Sequence, residues 1–255
     1  MPATPAPHPA AAGLDLSGSV LRPVRGHHAF EACVEQLATA IRLGVLPRGS
    51  ALPPERELAE RLVVSRATLR EAMAALREAG LVETTRGRGG GTVVTLKPRT
   101  PSARAAARIT DERRRDWLDS LDYRRVVEPG AAALAASHTA RGGLDDVRRA
   151  QLQAAHQAVV GASRPGEHRQ ADSRLHLTIA ALSGSPRLVE AVTSVQATLH
   201  EMLLAIPVLE ANIAHSDRQH ERLVRAILDG SADHARRAME EHCDDTAALL
   251  RGLVG

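Results

Sequence analysis

The fold of the N-terminal part of the chain is decided by residues 52–96, which read LPPERELAERLVVSRATLREAMAALREAGLVETTRGRGGGTVVTL. Pro53 and Pro54 favour the start of a helix, because the first turn of a helix has no intrahelical partners for its N–H groups. Leu58 and Leu62 lie one helical turn apart and give this helix an apolar face. The stretch therefore opens with a short helix.

One longer helix is predicted before this short helix and another after it. Ser65 can cap the helix that follows, and Gly80 ends it. The inner face of that helix carries four apolar residues: Leu69, Ala72, Met73 and Leu76. Residues 30–43 form the helix that comes first, and apolar residues recur there at helical spacing: Phe30, Val34, Leu37 and Ile41.

The three helices are followed by a pattern typical of a β-hairpin. Residues 81–85 and 92–96 are short β-prone segments, and a basic, glycine-rich tip separates them. Three helices followed by a basic hairpin predict a winged helix-turn-helix.

The C-terminal part has a different pattern. From Asp111 onward it contains Ala-, Leu- and Arg-rich stretches with helical spacing and no strand pattern, which predicts about six helices in an all-α bundle. The predicted fold class is thus mainly α, with an N-terminal winged helix-turn-helix and a C-terminal helical bundle. The predicted parts are a disordered Pro-rich tail (1–26), the winged helix-turn-helix domain (27–96), a linker (97–110) and a helical effector-binding and dimerisation domain (111–255).

The composition narrows the function classes. One Phe, one Tyr and one Trp leave no aromatic platform for single-stranded nucleic acid. Cys33 and Cys243 are too few and too far apart for a disulfide framework or a cysteine zinc site. No apolar run is long enough to span a membrane, and residues 1–13 lack the pattern of a signal peptide. We therefore expect a cytoplasmic protein without a membrane partner.

The positive charge is concentrated in the N-terminal part, which predicts a polyanion partner. Residues 1–100 contain 13 Lys and Arg against 9 Asp and Glu, whereas the remainder contains 20 against 21. Arg66 and Arg70 share the outward face of the capped helix, where a recognition helix places its base-reading side chains. Arg56 could contact the phosphate backbone, and Ser65 and Thr68 add hydroxyl groups. With the wing residue, the predicted DNA-binding residues are Arg56, Ser65, Arg66, Thr68, Arg70 and Gly87.

Two other interpretations of this region compete with DNA binding. Arg66 and Arg70 could be solvated surface charges that pair with Glu71 or Glu78. The helix order, the wing and the charge asymmetry favour DNA binding instead. A phosphate-binding loop is excluded, because the glycine-rich tip lacks the GxxxxGK[ST] pattern.

Four residues of types that bind metals point into the predicted bundle. Asp172 and His176 lie four apart on one helix, and His220 and His242 are each in register with the apolar residues of other helices. A divalent cation would satisfy the carboxylate and the imidazoles together, and zinc, nickel or manganese would suit this set. The alternative is that the histidines are hydrogen-bonded core residues, and spacing alone does not decide between the two.

The N-terminal stretches LPPERELA (52–59) and VSRATLREA (64–72), followed by Gly80-Leu81-Val82, resemble the DNA-binding domain of GntR-type transcriptional regulators. The resemblance covers residues 30–95. It implies that Arg56, Arg66 and Arg70 contact operator DNA and that Ser65, Thr68 and the wing around Gly87 assist them.

The C-terminal part resembles the ligand-sensing (FCD) domain of the FadR branch over about residues 116–250. The motifs that carry this resemblance are RRVVEP (124–129), Asp172-x3-His176, Ser183-Gly184-Ser185, His220 and His242. It implies that the Asp and the three His bind metal and that a small organic acid completes the metal shell. It also implies that Arg124 helps to bind the acid, although an i,i+4 bridge to Glu128 is an equal alternative.

These observations together indicate a dimeric transcriptional regulator, with repression as the expected mode, whose affinity for double-stranded operator DNA responds to a small carboxylate. The rival interpretation is an all-α metal-dependent hydrolase with a nucleic-acid-binding domain. It would need a general base beside the metal, and neither HExxH nor a comparable motif occurs in the sequence.

Overall fold

A computed structural model describes residues 13–24, 28–85, 91–97, 109–206 and 208–254. Within these ranges the chain forms ten α-helices and one two-stranded sheet. The elements are α1 (Leu16–Val20), α2 (Ala29–Arg42), α3 (Glu55–Leu62), α4 (Arg66–Glu78), β1 (Val82–Thr85), β2 (Gly91–Val94), α5 (Asp111–Ala140), α6 (Asp146–Val160), α7 (Pro165–Leu182), α8 (Pro186–Ala205), α9 (Glu210–Leu228) and α10 (Ala232–Val254).

The three predicted N-terminal helices are confirmed as α2, α3 and α4. Ser65 caps α4, because its hydroxyl oxygen accepts a hydrogen bond from the Thr68 amide at 3.0 Å. The inner face of α4 is buried as predicted and consists of Leu69, Ala72, Met73 and Leu76. Burial of this face packs α4 against α2 and α3 and turns its polar face outward.

The predicted hairpin is an antiparallel pair. Val82 of β1 pairs with Val94 of β2, and both are buried. Thr85 pairs with Gly91 at the far end of the pair. The hairpin packs on α4 and completes a winged helix-turn-helix. The basic tip at 86–90, which includes Gly87, lies outside the described residues.

The C-terminal part is a bundle of six helices, as its sequence predicts. The 30-residue helix α5 packs against α8 and α10, and α7 packs against α6 and α8. No helix in the part of the chain that the structure describes is long and apolar enough to cross a bilayer.

The prediction of a disordered tail at 1–26 is wrong for residues 13–24. Leu16–Val20 is a helix whose N-cap, Asp15, accepts a hydrogen bond from the Gly18 amide. Val20 and Leu21 are buried in the apolar core. The prolines of the first ten residues suggested a tail, but Leu14, Leu16, Val20 and Leu21 pack against apolar residues of later helices, and this burial offsets the entropy cost of ordering the segment.

The residues that precede α5 are described only in part. Residues 98–108 of the predicted linker lie outside the described ranges, and Thr110 caps α5.

The segment 13–24 lies between the two halves of the molecule. Arg22 forms a salt bridge with Glu190 of α8, and Asp15 forms one with Arg61 of α3 at 2.9 Å. One continuous apolar cluster contains residues of α1, α2, α3 and α4 together with residues of α5, α7 and α8. The winged helix-turn-helix and the bundle therefore share a core.

Candidate functional site

Three helices of the bundle bring four side chains with metal-binding chemistry together. Asp172 and His176 lie on α7, His220 lies on α9 and His242 lies on α10. One ligand atom of each residue lies within 4.8 Å of the ligand atoms of the other three. Helical spacing predicts that these four side chains point into the bundle, and in the structure they do.

The cluster is withdrawn from solvent and incompletely hydrogen-bonded. The three histidines are at most 3% exposed, and the Asp172 side chain is 14% exposed. Both ring nitrogens of His220 and Nε2 of His176 have no hydrogen-bond partner among the described residues. Nitrogens buried in this way cost free energy unless a ligand satisfies them.

The spacing of the donor atoms suits a shared cation. Nε2 of His220 lies 3.3 Å from Oδ1 of Asp172. Two atoms bound to one ion at about 2.1 Å each are about 3.0–3.4 Å apart in octahedral or tetrahedral geometry. Three imidazoles and one carboxylate oxygen fill a tetrahedral shell, and they leave one or two positions for a further ligand on an ion that takes five or six ligands. The residues therefore fit a divalent metal ion.

Two buried side chains outside the cluster orient its histidines. Nδ1 of His242 donates to Oε1 of Gln219 at 3.2 Å, which leaves Nε2 of His242 as the nitrogen that can bind a ligand. Gln219 in turn donates to Asp245 at 2.7 Å. Nδ1 of His176 lies 2.9 Å from Oε2 of Glu128, so Nε2 of His176 is also the ring nitrogen left for a ligand.

His220 and His242 are held in the neutral form that binds metals. Burial lowers the pKa of His220 to about 3, although the Asp172 carboxylate acts in the opposite direction. Burial and the neighbouring cationic groups also hold the pKa of His242 well below its ordinary value. At neutral pH both imidazoles are uncharged, so neither has to lose a proton before it binds a cation.

Arg124 is the buried cation beside this cluster. It is 1% exposed, and its Nε donates to Oε2 of Glu128 at 3.0 Å. Burial alone would raise the pKa of Glu128, but the Arg124 charge and contacts with His176 and Gln196 outweigh it and hold that pKa well below its usual range. The predicted i,i+4 bridge is therefore present.

The two terminal nitrogens of the Arg124 guanidinium are not used in the bridge to Glu128. Nη1 and Nη2 have no hydrogen-bond partner within the described ranges of the chain, and the side chain lines a cavity of about 90 Å³ together with Asp172 and His242. An anion in this cavity would meet the guanidinium and the open side of the cluster at the same time.

The residues predicted to face DNA lie on the outer side of α3 and α4. Arg56, Arg66, Arg70 and the cap residue Ser65 are exposed, and Thr68 is half-buried. Ser65 and Thr68 hydrogen-bond to each other through their hydroxyl oxygens at 2.9 Å, so both hydroxyls take part in capping α4.

The two surface arginines that have acidic partners are held weakly. Arg70 pairs with Glu55 of α3 at 3.2 Å rather than with Glu71 or Glu78, and Arg56 pairs with Glu60 at 3.2 Å. Exposed pairs of this kind contribute about 0–1 kcal/mol, so a phosphate or a base can replace the acidic partner.

Sequence reasoning missed Gln196 and Gln219, and it treated Glu128 only as a partner of Arg124. Glu128 lies one turn after Arg124 on α5, and this spacing was the available signal. Gln219 immediately precedes His220, but its contact with His242 joins two helices and has no local sequence signal.

Most of the chain is similar to known proteins. Residues 30–94 match the family described as bacterial regulatory proteins, gntR family, and residues 119–245 match the FCD domain. An HTH-type transcriptional regulator by its name, RmpR from Mycobacterium gastri, is 35% identical over 83% of this chain and 76% of its own length. The Glc operon transcriptional activator of Escherichia coli is 29% identical over 83% of this chain and 85% of its own length.

Solved structures support the same fold. A crystal structure of a GntR transcriptional regulator from a Rhodococcus species superposes with a TM-score of 0.50 at 22% sequence identity. The match covers 89% of this chain and 99% of that one, so the order of domains and helices is shared.

Proposed function

The chain belongs to the gntR family of transcriptional regulators and carries an FCD domain, and from this premise we propose that a carboxylate bound at the Asp172 cluster controls its affinity for operator DNA. Family membership decides between the two interpretations that the sequence left open. The protein is a regulator, and the metal-dependent hydrolase is set aside.

In this proposal Arg66 and Arg70 of α4 read the major groove, where arginine can donate two hydrogen bonds to a guanine. Arg56 at the start of α3 contacts the phosphate backbone, and Ser65, Thr68 and the wing residue Gly87 support the docking. Two copies of the chain bind the two halves of a palindrome, because a homodimer matches the symmetry of such a site.

Asp172, His176, His220 and His242 would hold one divalent ion, for which zinc, nickel and manganese are the candidates. The bound ion would supply a positive centre with open positions for a carboxylate oxygen. Glu128 and Gln219 would hold two of the imidazoles in the required orientation.

One observation carries the effector assignment. Arg124 is buried, its Nη atoms have no hydrogen-bond partner in the part of the chain that the structure describes, and it lines the same cavity as Asp172 and His242. A buried guanidinium without partners for its terminal nitrogens is costly, and an organic acid in the cavity would satisfy it. The acid would then favour one arrangement of the dimer and so change the spacing of the two recognition helices. Repression is the expected mode, with the acid releasing the operator.

The test is a binding measurement with operator selected from a random duplex library. Fluorescence anisotropy would give operator affinity for the metal-loaded protein with and without a panel of organic acids. We expect at least one acid to change operator affinity by about 5–150-fold and operator to change the affinity for that acid by the same factor. An acid that binds the protein while operator affinity stays constant would show that the helical domain is not the sensor.

A further inference from the structure

The cavity beside Arg124 has a charged floor and an apolar wall. Arg124, Asp172 and His242 form the floor. The wall is built from α8, α9, α10 and the connection between α8 and α9, and its aliphatic residues include Leu199, Leu203, Ile206, Leu209, Ile213 and Leu249. A ligand in this cavity must therefore be anionic at one end and apolar along the rest of its length.

We propose that the effector is an aliphatic monocarboxylate with a short apolar tail. This inference rests on the proposed function, since it names the ligand class of the same site. The carboxylate lies on the floor against Arg124 and the open side of the Asp172 cluster. The tail lies along the wall, where burial of each methylene group contributes to affinity.

The size of the cavity limits the length of the tail. A water molecule needs about 10–15 Å³ on the scale used for enclosed cavities, so about 90 Å³ accommodates about six to nine non-hydrogen atoms. An acid of about four to six carbons fills this space, whereas a long fatty acid exceeds it.

The charges at the cavity argue for a single carboxylate. His168 is paired with Asp217 at 3.1 Å, and Arg169 has an interaction of its own. The other polar residues of the wall, Asn212, Ser216 and Thr246, are neutral. A second carboxylate at the far end would lose its hydration, and it could pair with one of the two cations only by displacing the contacts that cation already has.

Exposed apolar side chains on the wall point to the same ligand. Val208 and Leu209 are 37% and 40% exposed, although they line the cavity. A hydrocarbon tail would cover part of this surface and remove it from water, which a polyhydroxylated acid would do less well.

The experiment is calorimetric titration of the metal-loaded full-length protein with straight-chain acids from acetate to octanoate, with lactate and succinate as comparison acids. We expect affinity to rise about fourfold per added methylene up to about six carbons and then to fall. Lactate and succinate should bind more weakly than butyrate. A dicarboxylate or hydroxy acid that binds tightest would overturn the chain-length proposal and leave the proposed function intact. If none of these acids binds and none of the organic acids in the operator panel affects operator binding, both proposals fail.

Three variants make the test specific to the wall. Leu203→Ala enlarges the cavity and should move the best chain length up by about one or two carbons, a gain that misfolding does not produce. Leu209→Ser should lower the affinity for butyrate several-fold without changing the metal content. Leu253→Ser is the matched control, because Leu253 is 45% exposed near the end of α10 and does not line the cavity. An unchanged chain-length preference in Leu203→Ala would overturn the placement of the tail.

Discussion

The side-chain amide of Gln170 on α7 donates a hydrogen bond to the main-chain carbonyl of Ile41 on α2 at 3.2 Å, and also one to the carbonyl of Arg42 at 3.0 Å. Gly44 permits this close approach, because its φ is +72° and a Cβ there would lie 2.9 Å from Cβ of Gln170. Gln170 precedes Asp172 by two residues. The helix that carries the candidate metal ligand is therefore bonded directly to the DNA-binding domain.

This contact predicts a residue that couples ligand binding to DNA binding. Gln170→Ala should leave metal content and acid affinity within about twofold, while the effect of the acid on operator affinity falls, because a shift of α7 is no longer passed to α2. Fluorescence anisotropy measures operator affinity with and without the acid, and the ratio of the two affinities gives the coupling. Gln153→Ala, an exposed glutamine on α6, is the control. Full coupling in Gln170→Ala would place the transmission elsewhere.

The recognition helix gives a prediction about specificity. Arg70→Ala should cost about 1–3 kcal/mol on the selected operator and much less on random duplex, since a base contact is lost while Glu55 gives up only a weak surface pair. Arg236→Ala removes the same charge from the exposed side of α10 and should change neither affinity. Equal losses on both duplexes would show that Arg70 contacts only phosphate.

The histidine cluster predicts metal content. The purified protein should hold about one divalent ion per chain, and His220→Ala or His242→Ala should lower that content and the Tm while the DNA-binding domain stays folded. Elemental analysis after dialysis measures the metal. His234→Ala removes an exposed histidine of α10 and should keep the ion. Full occupancy in both cluster variants would contradict the assignment.

Buried neutral histidines predict the pH dependence of the metal-free protein. The pKa of His220 is about 3 in the folded chain, against an ordinary value of 6.5. As the pH falls below about 6.5, the unfolded chain takes up a proton that the folded chain excludes. The free energy of unfolding should then fall by up to about 1.4 kcal/mol per pH unit because of this residue. Urea unfolding in chelator between about pH 7 and 5 measures the slope, and His220→Gln should reduce it. Equal slopes for the variant and the parent would contradict the buried neutral state.

Arg124 predicts a separation of acid binding from metal binding. Loss of the guanidinium should lower the affinity for the organic acid without removing the metal ion, whereas Asp172→Ala should lower both the acid affinity and the metal content. Arg124→Ala leaves Glu128 buried without its cation, so Arg124→Met with Glu128→Gln is also measured and compared with Glu128→Gln alone, because Glu128 contacts His176 as well. Calorimetry for the acid and elemental analysis for the ion separate the two effects. Unchanged acid affinity in both variants would remove Arg124 from the site.

The sequence alone determined the features whose physics is local. Ser65, Gly80 and the apolar spacing of α4 predicted that helix, because caps and periodicity act within a few residues. The same 3.6-residue period predicted that Asp172, His176, His220 and His242 all point inward.

Tertiary structure decided the features that depend on contacts between distant segments. Residues 13–24 contain too few apolar residues to order themselves, and they become ordered by packing on helices that follow much later in the chain. The contact of Gln219 with His242 and the bond from Gln170 to Ile41 each join two helices whose relative position no local pattern encodes. Nε of Arg124 is hydrogen-bonded, whereas Nη1 and Nη2 have no partner among the described residues. This difference also depends on how α5, α7 and α10 pack together, because only packing determines which buried atoms are left without partners.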